Sequence, residues 1–218
     1  MRPASSPAIR ITVNSAPDPI YLASRSPRRQ ELLTQLGIPF DEIKLRVAPG
    51  RHRDVIEEAR GGEPALHYVE RIARTKANTG WKRMQERGLP LRPVLGADTE
   101  VVLDDVIFGK PQDVDAARAM LAKLSGRVHD VLSAVAIRWN DDIEVAVSVS
   151  QVTFRKLTPG EIERYIETGE PFDKAGGYAI QGRAATFITR LEGSYSGVMG
   201  LPLAETAALL ARTGRAVL

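Results

Sequence analysis

The sequence predicts a mixed α/β fold, in which helices flank a β-sheet. Apolar residues recur at helical spacing in three segments, over residues 27–36, 64–87 and 113–124. Alternating apolar residues over 143–157 follow an apolar run at 128–139, and the polar residues between the two runs indicate a turn. Since both the helical and the strand periodicity are present, the chain belongs to neither the all-α nor the all-β class.

Length and composition fit one large domain or two small lobes with a buried core. The chain has 218 residues, of which 43% are hydrophobic and 26% are charged. It has 0 cysteines, which excludes disulfides, thiolate metal sites and a cysteine nucleophile, and which suits a cytoplasmic location. Residues 1–19 are rich in Ser, Ala and Pro and are predicted to be a mobile N-terminal extension, followed by one domain over residues 20–218.

The net charge of +3 is unevenly distributed. Residues 1–92 have 17 Lys and Arg against 10 Asp and Glu, whereas residues 93–218 have 13 against 17. A basic first half suits an anionic partner, although solvated helix faces commonly give an excess this small. No basic run is interleaved with aromatic residues, so a nucleic-acid partner is not expected. No apolar run is long enough to cross a membrane.

The first half of the chain is predicted to run strand, helix, strand, helix. Residues 20–22 form a strand, and Ser26 N-caps a helix that ends at Gly37. Residues 41–62 are predicted to form a strand and then a flexible loop. The helical pattern over 64–87 follows this loop.

The second half contains two hairpins and three helices by the same patterns. Asp104 and Asp105 mark a hairpin turn, and Asp113 is the N-cap of a helix. Residues 158–161 form a capping box at the start of the next helix. Residues 186–191 are predicted to be a strand with a glycine-rich segment on either side, and Pro202 begins the last helix.

Arg28 and Arg29 lie in the first turn of the first predicted helix, where the helix dipole disfavours cations. A bound anion would explain them, because free backbone N–H groups, the hydroxyls of Ser24 and Ser26 and two guanidiniums make a phosphate cradle. An exposed helix start with two solvated arginines is the alternative. This stretch alone supports both interpretations equally.

Asp98 interrupts an otherwise apolar strand, where an unpaired carboxylate is costly to bury. We predict that it is a general base or a Mg²⁺ ligand at a cleft. The alternative is a carboxylate that caps a turn through Thr99. Lys110 follows closely and favours the functional interpretation, because phosphoryl chemistry needs cations beside a carboxylate. Any single lysine, such as Lys76 or Lys110, is nevertheless more often a solvated surface group.

Several common sites are excluded by their missing motifs. The chain has no G-x-x-x-x-G-K-[ST] loop, no G-x-G-x-x-G fingerprint and no G-x-S-x-G elbow. His52, His67 and His129 lack zinc-ligand spacing and are predicted to be surface or structural histidines.

Six motifs, which together cover about residues 20–212, resemble those of the Maf family of nucleoside triphosphate pyrophosphatases. They are Leu22-Ala-Ser-Arg-Ser-Pro-Arg-Arg29, Ala73-Arg-Thr-Lys-Ala77, Gly96-Ala-Asp-Thr99, Gly109-Lys-Pro111, Asp173-Lys-Ala-Gly-Gly-Tyr-Ala-Ile-Gln-Gly182, and Gly193-Ser-Tyr through Val198-Met-Gly-Leu-Pro-Leu203. The resemblance implies hydrolysis of a nucleoside triphosphate to the monophosphate and pyrophosphate. It implies a divalent cation (Mg²⁺ or Mn²⁺) and a homodimer. It also implies a Maf/ITPase-like fold, with an elongated mixed β-sheet, flanking helices and two lobes around a cleft.

The resemblance also implies roles for eight residues. Asp98 matches the proton acceptor and a metal-linked carboxylate. The positions that match phosphate contacts are Ser24, Arg28, Lys76 and Lys110. The positions that match nucleotide choice are Arg29, Thr99 and Gln181, whose amide can offer a donor and an acceptor to a pyrimidine edge. The Gly-Ser-Tyr form of the last motif is similar to the branch that prefers dTTP and UTP, and a related branch prefers 7-methyl-GTP.

Two departures from the family pattern leave the metal ligands open. Relatives commonly have an acidic cluster where this chain has residues 51–54, so Asp54 or Glu57 would have to supply any ligand from that region. Arg25 and Glu100 stand where relatives often have smaller or apolar residues. Glu100 alternates onto the strand face of Asp98 and is either a second metal ligand or, as we favour, an outward polar residue.

A function of another class is a nucleotide- or nucleic-acid-binding regulator of cell division or septum formation, a role associated with the family's name. An enzyme would lose its turnover when Asp98 is replaced by Asn and would keep its nucleotide binding. A regulator would be indifferent to the replacement.

Overall fold

The computed structural model describes residues 18–46 and 54–215. Its helices and strands are, in chain order, β1 (Ile20–Leu22), α1 (Pro27–Gln35), β2 (Phe40–Glu42), α2 (Ala65–Glu86), β3 (Val94–Leu103), β4 (Val106–Phe108), α3 (Val114–Leu124), β5 (Val128–Trp139), β6 (Asp142–Phe154), α4 (Pro159–Ile166), β7 (Ile188–Glu192), α5 (Tyr195–Met199) and α6 (Leu203–Arg212). Short 3₁₀ turns cover Glu170–Asp173, Ala175–Gly177 and Arg183–Phe187.

The strands form one mixed sheet of 7 strands, in the order β2-β1-β3-β5-β6-β7, with β4 also paired to β3. β1 is parallel to β2 and to β3, and the other pairs are antiparallel. The longest ladder joins β5 to β6, from Val128 opposite Thr153 to Trp139 opposite Asp142. The predicted mixed α/β fold, with a mixed sheet and flanking helices, is confirmed.

Two of the four apolar clusters of the described residues form the cores of two lobes. The first joins β1, α1 and α6 and includes the buried residues Ile20, Leu22, Leu33, Leu201 and Leu210. The second joins α3, α4 and the 3₁₀ turns and includes the buried residues Leu121, Phe154, Ile162, Tyr165 and Phe187. β3 and β5 pass through both, because Ala97 and Val135 belong to the first cluster and Val101 and Val131 to the second. The long strands therefore hold the two lobes together.

α2 lies very close to β3 because the facing residues are small. Ala73 and Ala77 are fully buried. A Cβ atom added to Gly96 would lie 2.4 Å from the backbone nitrogen of Ala77 and 2.5 Å from the carbonyl oxygen of Ala73. A glycine is therefore required at this position. Asp98 is the next residue on the same face of β3, so this close approach brings the α2 side chain Lys76 against it.

Most predicted elements are present, and the differences are local. The hairpin turn at Asp104 and Asp105 has both residues at positive φ, as the tight turn requires. The strand predicted over 186–191 instead begins at Ile188, after a 3₁₀ turn, and the strand predicted to reach residue 157 ends at Phe154. The glycine-rich segment at 193–203 contains α5, which its glycines concealed.

Parts of two predicted segments lie outside the described residues. They are residues 1–17 of the predicted extension and residues 47–53 of the predicted loop. In the ranges that the structure describes, no helix has the length and apolar character needed to cross a membrane.

Candidate active site

A gap along one edge of β3 forms the floor of the cleft. β1 pairs with this edge as far as Leu95, where the Ala23 N–H donates to the Leu95 carbonyl at 2.8 Å, and β4 pairs with it only from Val101 onward. Between these two strands, no described strand covers residues 96–100 on this edge, although β5 covers the opposite edge. The resulting cleft has a volume of about 400 Å³. Residues from both faces of the sheet can reach it.

The structure brings seven predicted site residues to the wall of this cleft. They are Ser24, Arg28, Arg29, Lys76, Thr99, Lys110 and Gln181. They come from α1 and the loop before it, from α2 and β3, and from the segments after β4 and after the second 3₁₀ turn. The eighth, Asp98, lies beneath Lys76. Motifs that are separated by more than 150 positions in sequence thus converge on one place.

Arg29 is buried, so the interpretation of it as a solvated arginine is wrong. Its Nε donates to the carbonyl oxygen of Gly200 at 2.8 Å, and its Nη1 and Nη2 reach the hydroxyls of Ser24 and Thr99 at 3.2 and 3.4 Å. Burial lowers the pKa of the guanidinium, and the nearby charges of Asp98 and Glu57 oppose this effect. Arg29 therefore fixes α1 against β3 and the loop before α6, and it adds a positive charge to the cleft wall.

Arg28 faces the cleft mouth, where it pairs with a carboxylate that the sequence did not single out. Its Nη1 lies 3.2 Å from Oδ2 of Asp173, which belongs to the first 3₁₀ turn in the other lobe. Asp173 also pairs with Lys174. Burial works to raise the pKa of Asp173, but its hydrogen bond to Lys174 and the charges of Lys174 and Arg28 give a net lowering. The only sequence signal for Asp173 is its place at the start of a glycine-rich motif.

The predicted side-chain cap at Ser26 is absent. Ser26 occupies the N-cap position of α1, but its side chain makes no capping hydrogen bond, and its N–H donates to the hydroxyl of Ser24 at 3.2 Å. Pro27 has no N–H, and the N–H of Arg29 donates to the carbonyl oxygen of Ser26 at 3.2 Å, so the Arg28 N–H is the first-turn donor that no acceptor of the described residues occupies. A free N–H at a helix start favours an anion.

Lys76 joins two carboxylates at the inner wall of the cleft. Its Nζ lies 2.7 Å from Oδ1 of Asp98 and 2.6 Å from Oε1 of Glu57. Asp98 and Lys76 are only 6% and 9% exposed, which a charged pair tolerates only when both members are satisfied. Oδ2 of Asp98 is nevertheless buried without a hydrogen-bond partner. The structure thus favours a functional carboxylate over one that caps a turn through Thr99.

Glu57, rather than Asp54, is the acidic residue that reaches the site from the loop before α2. Burial works to raise the pKa of Glu57, but the charge and hydrogen bond of Lys76 outweigh it and lower the pKa. Asp54 is held elsewhere, because its carboxylate accepts hydrogen bonds from Arg83 at 2.5 and 3.1 Å and from the backbone N–H of Arg46 at 2.8 Å. Asp54 therefore fastens this loop to α2.

The prediction that Glu100 is an outward polar residue is wrong. Its side chain is largely buried on the face of β3 that carries Asp98, and its Oε2 has no hydrogen-bond partner. Burial and the negative charge of Asp98 raise the pKa of Glu100 to about 8, against the opposing charge of Lys76.

The carboxylates fit a divalent ion that is shared with a substrate. Within the described ranges, no group of three or more His, Cys, Asp or Glu residues is placed to hold a metal ion. Mg²⁺ is commonly bound by one or two carboxylates together with substrate phosphates and water, not by an all-protein cage. The unpartnered oxygens of Asp98 and Glu100 are hard donors of this kind, beside the cations that line the cleft.

The histidines take no part in a metal site among the described residues. His129 is 2% exposed, and its Nε2 lies 2.8 Å from the hydroxyl of Tyr178, whose ring lines the cleft. Burial lowers the pKa of His129 to about 4. His67 is exposed, and His52 lies outside the described residues. His129 is therefore a structural histidine that supports the cleft wall.

Comparison with known proteins identifies the family. A family model described as Maf-like protein matches residues 19–213. The chain belongs to the Maf family. This Maf chain is 52% identical to the dTTP/UTP pyrophosphatase of Chromobacterium violaceum, over 89% of this chain and 94% of that protein. It is 56% identical to the dTTP/UTP pyrophosphatase of Nitrosospira multiformis, over 88% of this chain and 92% of that protein.

Among solved structures, the Maf chain is similar to the Ham1 protein of Staphylococcus aureus. The match has a TM-score of 0.39 and 14% sequence identity, and it covers 63% of this chain and 72% of the other. A likeness this remote supports no inference about the site.

Proposed function

We propose that this protein hydrolyses dTTP and UTP to the nucleoside monophosphate and pyrophosphate. The observation that carries the proposal is the 52% identity, over 89% of the chain, to a relative named dTTP/UTP pyrophosphatase. The cleft supports it, because four cationic side chains line its wall: Arg28, Arg29, Lys76 and Lys110. A triphosphate carries several negative charges and needs such a set.

The cations have different roles because their side chains differ in exposure. Lys76 is buried and already bridges two carboxylates, so it fixes the reacting groups and neutralises the anhydride next to them. Arg28 and Lys110 are more accessible and bind the outer phosphates. Arg28 exchanges Asp173 for a phosphate oxygen, which replaces one charge-assisted hydrogen bond with another.

Asp98 acts as the base that accepts a proton from water. Lys76 holds Oδ1, which leaves Oδ2 free to receive the proton. The water oxygen forms a bond to one phosphorus of the α–β anhydride as the bond from that phosphorus to the bridging oxygen breaks, and the nucleoside monophosphate and pyrophosphate separate. General-base catalysis of this type contributes about 10²- to 10⁴-fold in rate.

Asp98 would also hold a divalent ion, Mg²⁺ or Mn²⁺, when the substrate is bound. An ionised carboxylate has about four acceptor sites, so the site used by Lys76 leaves others for the ion and for the water proton. When bound, such an ion neutralises the charge that develops on the anhydride oxygens and orients the phosphates.

Selection of the nucleobase of the substrate rests on Arg29, Thr99 and Gln181. Gln181 has an exposed amide at the cleft wall, and one donor plus one acceptor match the N–H and carbonyl groups of a thymine or uracil edge. Arg29 and Thr99 are hydrogen-bonded to each other and both reach the Gly200 carbonyl, so they fix the shape of the wall.

Pyrophosphate release by the purified full-length protein tests the proposal. The substrates are dTTP, UTP, CTP, GTP and 7-methyl-GTP, each with Mg²⁺, with Mn²⁺ and with EDTA. We expect metal-dependent release that is selective for dTTP and UTP. Release from 7-methyl-GTP alone would assign the chain to the other branch. Nucleotide binding without any release would favour a regulatory binding protein.

We further propose that the enzyme acts as a homodimer in the cytoplasm. The family resemblance supports the dimer, and the lack of cysteine and of any membrane-spanning helix in the described ranges agrees with the location. Light scattering coupled to gel filtration should give a mass of twice 23.8 kDa. A mass of one chain at micromolar concentration would contradict the dimer.

A further inference from the structure

The metal-binding side of the cleft contains one acidic group that the proposed mechanism leaves unused. Glu100 lies two residues after Asp98 on β3, so the two side chains leave the strand on the same face, about 7 Å apart at their Cα atoms. Each has one buried carboxylate oxygen without a hydrogen-bond partner, Oδ2 in Asp98 and Oε2 in Glu100. Two orphaned oxygens on one strand face are an unusual cost, since a buried acceptor normally has a partner.

The neighbouring cations do not satisfy these two oxygens. Lys76 lies within hydrogen-bond distance of Asp98 and of Glu57. Lys110 is the other cation whose charge acts on Glu100, against the negative charges of Asp98 and Glu57. Neither lysine hydrogen-bonds to Oε2 of Glu100 or to Oδ2 of Asp98, so both oxygens are left for another ligand.

We propose that Glu100 is a second protein ligand of the divalent ion held by Asp98. This inference rests on the proposed metal-assisted function. A divalent ion binds carboxylate oxygens that no donor occupies, such as Oδ2 of Asp98 and Oε2 of Glu100. Glu100 has one more methylene than Asp98. Its carboxylate can therefore reach toward the same ion from a position two residues further along β3.

The expected consequence is metal binding before the nucleotide arrives. One carboxylate alone holds Mg²⁺ or Mn²⁺ weakly and depends on substrate phosphates, whereas two carboxylates on a rigid strand form part of a preformed site. The full-length protein should therefore bind Mn²⁺ in the absence of nucleotide.

A titration of the full-length protein with Mn²⁺ alone tests this inference. Electron paramagnetic resonance measures the concentration of unbound Mn²⁺ at each step. Glu100→Gln keeps the size of the side chain and removes its charge. It should weaken Mn²⁺ binding by about tenfold or more, a loss in the range found when metal sites lose supporting groups. Asp98→Asn should weaken it at least as much. The matched control Glu58→Gln makes the same change at an exposed residue, next to Glu57 in the sequence, and should leave Mn²⁺ binding unchanged.

The possible outcomes separate this inference from the proposed function. If Glu100→Gln binds Mn²⁺ as tightly as the wild type while Asp98→Asn does not, Glu100 is no ligand and the proposed function stands. A wild type that needs metal for turnover but binds no Mn²⁺ alone would also overturn the inference. Undiminished release of pyrophosphate in EDTA would instead overturn the metal-assisted function itself.

A folding control keeps the test interpretable. The unfolding temperature of each variant is measured, and Glu100→Val provides a second replacement, since an apolar β-branched residue suits a buried strand position. Both Glu100 variants should lose Mn²⁺ affinity. Retained affinity in a folded Glu100→Val protein would contradict the proposal as firmly as it would in Glu100→Gln.

Discussion

The inner wall and the mouth of the cleft each contain an ion pair, and the two pairs differ in exposure. At the inner wall, the side chains of Lys76 and Asp98 are 11% and 9% exposed. At the mouth, those of Arg28 and Asp173 are 23% and 65% exposed. A buried pair is costly to break, because the remaining charge has no water to solvate it, whereas an exposed pair contributes little. The inner wall is therefore fixed in place, and the mouth can exchange its partners for phosphate oxygens.

Replacement of Asp98 by Asn should have the largest effect on turnover. We expect kcat for UTP to fall by about 10²- to 10⁴-fold, because the amide cannot accept the water proton. Binding of a non-hydrolysable UTP analogue, measured by calorimetry, should change far less. Loss of binding to the same extent as turnover would show that Asp98 acts mainly in substrate binding.

Replacement of Lys76 by Met should have the largest effect on stability. It leaves the carboxylate of Asp98 buried and unpaired, so we expect the free energy of unfolding in urea to fall by about 3–5 kcal/mol. The double variant Lys76→Met/Asp98→Asn should recover part of this loss, because it also removes the uncompensated charge. A loss below 1 kcal/mol in the single variant would mean that water reaches the pair.

His129 should make stability depend on pH through its burial. Its pKa is lowered to about 4 in the folded protein, so protonation below its ordinary pKa of about 6.5 favours the unfolded chain. The stabilisation is complete above pH 6.5 and is lost as the pH falls toward 4. Between pH 7 and pH 5, the free energy of unfolding should drop by about 2 kcal/mol from this group.

His129→Gln provides the comparison for this effect. The variant has no imidazole to protonate, so its free energy of unfolding should fall less than that of the wild type over the same pH range. Equal slopes for the two proteins would assign the acid sensitivity to other groups.

The inner wall and the mouth also differ in how well the sequence predicted them. Asp98 stood out because a carboxylate in an apolar strand needs a reason, and the close approach of α2 at Gly96 supplies it. The burial of Arg29 could not be predicted, because its acceptor, the Gly200 carbonyl, is separated from it by 171 positions. Asp173 and Glu100 were missed or misjudged, since pairing across the cleft and burial by a helix are tertiary effects that local patterns do not contain.

The helices also differ in how well the sequence predicted them, according to whether local or tertiary contacts define their ends. α3 was predicted correctly at both ends, because the Asp113 side chain accepts from the Ala116 N–H at 2.7 Å and so fixes its start locally. α5 was missed, since its sequence contains glycine and only five residues. Its start depends on the Ser194 cap and on the contact of Gly193 with Ser150 of β6, which no local pattern reveals.

Replacement of Gln181 by Ala tests nucleotide choice without disturbing the ion pair of the inner wall. The loss of one exposed amide should reduce the preference for UTP over CTP, measured as the ratio of their kcat/KM values, by roughly 2- to 10-fold. The kcat for UTP should change less than this ratio, since Gln181 is assigned to the base and not to the phosphates. An unchanged preference would remove Gln181 from nucleotide choice.

Replacement of Asp173 by Asn should have the smallest effect and should show that the pair at the mouth is exchangeable. We expect the free energy of unfolding to change by less than about 1 kcal/mol, because the pair is exposed. The KM for UTP should fall by up to about 5-fold, since Arg28 no longer has to leave a carboxylate before it meets a phosphate. A rise in KM would mean that Asp173 orients Arg28 toward the substrate, and the mouth would then be as fixed as the inner wall. Arg28→Lys separates the two cases, because a lysine keeps the charge but not the guanidinium geometry that an orienting carboxylate requires.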